Sequence, residues 1–194
     1  MTRNIPATVP FVNADSPTIS LVGEVNETMA RHLRDKLAEQ KECRDNPLSI
    51  EITTLGGDAE MVRRMVKDID DARDRLKPRR LLFLGKTMVY SAGVTLMAAF
   101  PRADRYLTKD AMLLIHGRQL DQTVHLTGPL RGSLPKVEAI VHQLKAGISL
   151  EIENFERLVD GSDVSMDELC EKALYNWYLS AEEALDRGLI AWIV

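Results

Sequence analysis

The sequence predicts an α/β fold with largely parallel strands, and two patterns carry that expectation. Three strand–helix units of roughly 30 residues follow one another from Thr18, long enough for a crossover that returns the chain parallel. No hairpin signal interrupts them. Gly56-Gly57, Ser91 and His116 each stand at the carboxyl end of a predicted strand, where ligands gather in such sheets.

Residues 1–17 carry three prolines and little apolar periodicity, which reads as a flexible arm. Thr18–Gly23 alternates as a short strand, and Asn26 is placed to cap a helix with Met29, Leu33 and Leu37 at helical spacing. A polar turn, Cys43-Arg44-Asp45-Asn46-Pro47, separates that helix from the β-branched strand Leu48–Thr53. Past Gly56-Gly57-Asp58, the residues Met61, Met65, Ile69 and Ala72 mark an amphipathic helix to about Leu76. Leu81–Leu84 begins the third strand, and a helix running to Phe100-Pro101 follows Ser91. Arg105–Thr108 and Ala111–Ile115 are two more short strands. The stretch 119–132 is irregular. Residues 134–159 then read as one long helix with Val137, Ile140, Val141, Leu144, Ile148 and Ile152 as its apolar positions. Ser165 and Ser180 cap two final helices, the second with Glu182 and Glu183 in a first turn where the helix dipole favours acids. Residues 18–194 therefore read as a single domain.

Bulk properties narrow the function classes. The chain has 194 residues, a net charge of −4 and 5% aromatic content, so neither a basic nucleic-acid footprint nor a base-stacking platform is expected. The amino terminus lacks the apolar core of a signal peptide, and no apolar run approaches the roughly 18 residues of a membrane span. The two cysteines, Cys43 and Cys170, have no metal-ligand spacing and read as free thiols. A soluble cytoplasmic domain without metal or cofactor is the expectation.

The three strand ends fit one chemistry. Acyl transfer needs a nucleophile, a base that takes its proton, and N–H donors where the oxyanion develops. Ser91 offers a hydroxyl at a strand-to-helix turn, His116 a base at a strand end, and Gly56-Gly57 a backbone that a ligand can approach closely. Each also has a plain structural reading: a helix cap, a buried histidine with a partner, a tight turn. His32, His125 and His142 have no evident partner and read as surface residues.

Order and content together resemble the proteolytic subunit of the Clp protease family. The matching stretches are Ile19–Val25, Ile50–Gly57, Ser91-Ala92-Gly93, Leu114-Ile115-His116, Tyr178–Ala184 and Gly188-Leu189-Ile190, with Ser91 and His116 25 positions apart as in that family. The resemblance implies a ClpP/crotonase-like spiral of ββα units, with the long helix at about 134–159 as a protruding handle. It implies an ATP-dependent serine endopeptidase subunit that hydrolyses unfolded proteins inside an oligomeric chamber. That chamber would be a heptameric ring, doubled into a tetradecamer and served by a Clp-type ATPase unfoldase. Ser91 would be the nucleophile, His116 the general base, and the N–H groups of Gly57 and Ala92 the oxyanion hole.

The third catalytic position departs from that pattern. Counted back from Tyr178, the family's aspartate falls on Lys172, whose ammonium can neither accept the histidine N–H nor favour an imidazolium. Glu171, Asn176, Asp163 and Asp167 are the nearby candidates to orient His116 instead. In a trypsin-type enzyme, losing the orienting carboxylate costs about ten-thousand-fold in turnover. Other departures are Leu55 where the family has proline, a long and bulky Gly85–Tyr90 segment, and no arginine beside the aspartate position. Four readings follow: the active peptidase, a ClpP-like pseudopeptidase or scaffold subunit, a crotonase-type acyl-CoA enzyme, and a Ser–Lys dyad using Lys172 or Lys86.

Overall fold

The computed structural model describes residues 17–41 and 46–194. The arm expected over residues 1–17 falls outside them except for Pro17, and so does Cys43.

Strands and helices alternate as the periodicity demands. β1 (Thr18–Val22), β2 (Leu48–Thr54) and β3 (Leu81–Tyr90) are each followed by a helix: α1 (Glu27–Ala38), α2 (Ala59–Arg75) and α3 (Ala92–Ala98). β4 (Arg105–Leu107) and β5 (Met112–Ile115) come next, then α4 (Leu130–Val159), α5 (Met166–Ala173), β6 (Trp177–Ser180), α6 (Ala181–Asp186) and β7 (Trp192–Ile193). All seven strands form one sheet, ordered β1-β2-β3-β4-β7, with β5 branching from β3 and β6 beyond it. Every strand pairing is parallel except β5 with β6.

The expected caps form. Asn26 accepts the Met29 N–H at 3.0 Å, Ser165 caps α5, and Ser180 with Glu183 completes a reciprocal capping box on α6. Packing follows the apolar stripes. α1 buries Met29, Leu33 and Leu37, α2 buries Met65 and Ile69, and both belong to one core with Ile50, Ile52 and Phe83 of the sheet. α3 is buried on nearly every face, with α2 on one side and α4 on another.

β3 is longer than its first four apolar residues suggest, and its length organises the site. Its first half pairs with β4 and its second half with β5. Against β2 the register moves from Ile52↔Gly85 to Thr54↔Val89, so β3 carries two extra residues in a bulge where Thr87 has φ +55°. This bulge is the structural meaning of the bulky Gly85–Tyr90 segment. It swings the end of β3 away from β4 and onto β5, so that Ser91 and His116 finish on neighbouring strands.

α4 begins at Leu130, four residues before the sequence expectation. Pro135 suggests a helix start because its ring suits a first turn. One missing N–H bond in a 30-residue helix is tolerated instead. Phe155 and Leu158 anchor the helix in the core, whereas Leu134, Leu144 and Ile148 remain exposed.

Candidate active site

Ser91 occupies a turn that the surrounding ladder forces. Its N–H donates to the Leu114 carbonyl at 2.8 Å, continuing the β3–β5 pairing, and its own carbonyl already accepts the first N–H bonds of α3. Between these it adopts φ +55° and ψ −112°, outside the regions that side chains prefer. Its side chain makes no capping bond to α3. The plain reading of Ser91 as a helix cap therefore fails, and a strained strand-to-helix elbow stands in its place.

Gly56 and Gly57 are required by close approach. A Cβ on Gly56 would lie 2.7 Å from the Ser91 Cβ, and one on Gly57 would lie 2.3 Å from the Val25 carbonyl oxygen. Both have positive φ. Thr54 accepts the Gly56 N–H at 3.0 Å, so that donor is spent. Val25 takes up the Gly56 carbonyl and the Asp58 N–H in a parallel bridge. In a parallel bridge the N–H of the bridged residue, here Gly57, faces away from its partner. Ala92 opens α3, where an N–H has no acceptor within the helix.

These groups meet at one cavity of about 310 Å³, lined by Gly57, Ser91, Ala92, Thr95, His116, Gly117, Arg118 and Asn154 among others. A small extension of about 20 Å³ runs from Ser91 and His116 toward Ile115, Phe155 and Leu158. A larger groove of about 550 Å³ shares Gly57 with it and is bordered by Val22, Leu55, Gly56 and Met88, but it holds neither serine nor histidine. Ser91 and His116 thus belong to the smaller cavity.

His116 has an unexpected partner. Its Nδ1 lies 2.7 Å from the Gly117 carbonyl oxygen, an acceptor, so in the neutral imidazole Nδ1 is the nitrogen that carries the proton and Nε2 the one with the lone pair. Glu171, Asn176, Asp163 and Asp167 do not line the cavity, and all four are exposed. Lys172 is also elsewhere. Its ammonium pairs with Glu168 at 2.8 Å and sits 4.3 Å from the centre of the Trp177 ring. Glu168 is held down at about 2 by hydrogen bonds from Arg187 and then Lys172. Lys86 pairs with Glu51 at 2.7 Å. Neither lysine lines the Ser91 cavity, so the geometry offers no Ser–Lys dyad.

Sequence reading misses Thr95, Arg118 and Asn154. Thr95 is one turn beyond Ser91 on α3 and is open to inference from helical spacing. Asn154 sits near the far end of α4, and only the tertiary return of that helix brings it to the cavity. Among the described residues no group of His, Cys, Asp and Glu is arranged to hold a metal, and no helix is long and apolar enough to cross a membrane.

Comparison with known proteins converges on one family. The family model described as Clp protease matches residues 12–194. The chain is 24% identical to the ATP-dependent Clp protease proteolytic subunit 3 of Rhizobium etli, covering 92% of this chain and 84% of that one. The subunit of the same name from Rhizobium johnstonii is likewise 24% identical, with the same coverage. The structure of a ClpP1 point mutant from Listeria monocytogenes superposes with a TM-score of 0.69 at 21% identity, over 93% of this chain and 92% of that one.

Proposed function

The chain belongs to the Clp protease family, and from that premise we propose that it is a serine endopeptidase subunit acting on unfolded protein within an oligomeric chamber. One observation carries the reading: Gly57, Ser91, Ala92 and His116, drawn from three strand ends, line a single cavity. Ser91 Oγ attacks the peptide carbonyl while His116 Nε2 takes its proton. The N–H groups of Gly57 and Ala92 receive the charge that develops on the carbonyl oxygen. The intermediate collapses with cleavage of the C–N bond, and the imidazolium returns the proton to the departing amine. Water then releases the acyl group from Ser91 by the same route in reverse.

The Gly117 carbonyl takes the orienting role that a carboxylate has elsewhere. It holds the correct tautomer, so the whole ten-thousand-fold penalty of a wrongly protonated imidazole does not apply. Being neutral, it stabilises the imidazolium less than a carboxylate does, so turnover is slow. The same feature favours a second reading, a ClpP-like subunit that binds peptides without normal turnover. Crotonase-type acyl-CoA chemistry has no use for the Ser91–His116 pair. The family relation also supports a ring assembly and a Clp-type ATPase partner.

The deciding experiment is hydrolysis of a fluorogenic peptide and of denatured casein by the purified homo-oligomer. Slow cleavage that disappears in Ser91→Ala supports the peptidase. Peptide binding without cleavage, in every assembly state, supports the second reading.

A further inference from the structure

Arg118 gives the cavity a charge that its other lining residues lack. The described lining consists of small, polar and apolar side chains together with His116, and Arg118 is its one permanently charged member. Two anchors fix its position two residues beyond His116. Its backbone N–H donates to Glu151 of α4, and its guanidinium donates to Glu60 Oε1 at 2.6 Å. Its side chain is three-quarters buried, whereas that of Glu60 is more than half exposed and also bonds Arg63 at 2.7 Å. Glu60 is not part of the lining. Arg118 is therefore a part-buried cation in the cavity wall, while its carboxylate partner stands at the solvent side and has a second cation to fall back on.

A guanidinium carries five N–H donors, and Glu60 takes one of them. An arriving carboxylate can pair with the rest, or replace Glu60 outright with little cost, because solvent screens a pair whose carboxylate is exposed. A lysine or arginine on the ligand would instead meet the like charge of Arg118, and the nearby Glu151 already accepts from the Arg118 backbone N–H. The electrostatic choice runs one way. The hydrogen bonds from Arg118 and then Arg63 also hold the Glu60 carboxyl below its usual range, which keeps it ionised at neutral pH.

We infer that Arg118 is a specificity-determining residue that selects peptides with an acidic side chain beside the bond held at Ser91, with Glu60 as a resident carboxylate that such a side chain displaces. This rests on the proposed peptide site but is separable from its catalysis. The test uses the full-length Ser91→Ala chain and fluorescein-labelled hexapeptides that differ only in Glu, Gln or Lys at one central position, with binding read by fluorescence anisotropy. The Glu peptide is expected to bind about tenfold more tightly than the Gln peptide, the order of one charge-assisted pair. Arg118→Gln should erase that ratio. Glu60→Gln should enlarge it. Equal binding of the Glu and Gln peptides, a preference for Lys, a ratio that survives Arg118→Gln, or no peptide binding at all would each overturn the inference. An acid preference in binding alongside a wild-type chain that cleaves nothing would sustain the inference and reject the peptidase.

Discussion

At the scale of single residues, the site depends on contacts too close for any side chain but the one present. Gly56 supports Ser91 directly, since a methyl group at residue 56 would sit 2.7 Å from the Ser91 Cβ in a backbone with φ +109°. Gly56→Ala is therefore expected to displace the hydroxyl and lower kcat/KM by at least about a hundredfold, because misplacement of about 1 Å is costly on that scale. Measuring kcat/KM beside a circular dichroism spectrum separates this from unfolding. Gly56-Gly57, Ser91 and His116 are legible in the sequence because each punctuates a strand end. The partner of His116 is not, since a bond from Nδ1 to the neighbouring carbonyl leaves no trace in residue identity. Lys172 is legible as a departure, but its engagement with Glu168 and Trp177 requires the packing of α5 against β6.

At the scale of elements, caps and apolar periodicity fix most helices, and the misses have physical causes. β6 is four residues long and leads straight into its own capping serine, so its strand character depends on pairing with β5 rather than on pattern. The bulge in β3 is hidden for a similar reason, because apolar residues continue on both sides of it. Arg105 reads in the sequence only as the start of a strand, yet it joins four segments. Its guanidinium donates to the carbonyls of Phe100 at 2.8 Å, Leu158 at 2.7 Å, Leu189 at 3.2 Å and Arg157 at 2.7 Å. Two of these are last-turn carbonyls of α4, otherwise without donors. Burial lowers the Arg105 pKa to about 10, which still leaves it charged at neutral pH. Arg105→Met fills much of the volume and removes every donor, so a loss of about 3–5 kcal/mol is expected, since each buried carbonyl left unsatisfied costs about 1–3 kcal/mol. In a thermal melt of a chain this size that is roughly 6–20 °C. A smaller shift would mean that water replaces the guanidinium.

At the scale of the whole molecule, α4 is the element that one chain leaves unfinished. Leu134, Val137, Val141, Leu144, Ile148 and Ile152 form an exposed apolar series along a helix whose end is buried by Phe155 and Leu158. Such a stripe needs a partner surface in water. We propose that in a ring assembly the same helix of another subunit covers it, so Leu144→Lys with Ile148→Lys should yield a smaller species than wild type by light scattering after gel filtration. Asn154 lies on the same helix and lines the Ser91 cavity, so assembly and site geometry share one element. The central claim, however, concerns Ser91 itself: that its strained turn, Gly57, Ala92 and His116 together make an activated nucleophile. Its most direct test is labelling of the oligomeric chain with a fluorophosphonate, read by intact mass and peptide mapping. The expected result is one adduct per chain on Ser91, absent in Ser91→Ala and strongly slowed in His116→Ala. A chain that stays unlabelled in every assembly state, or that labels equally without His116, would contradict it.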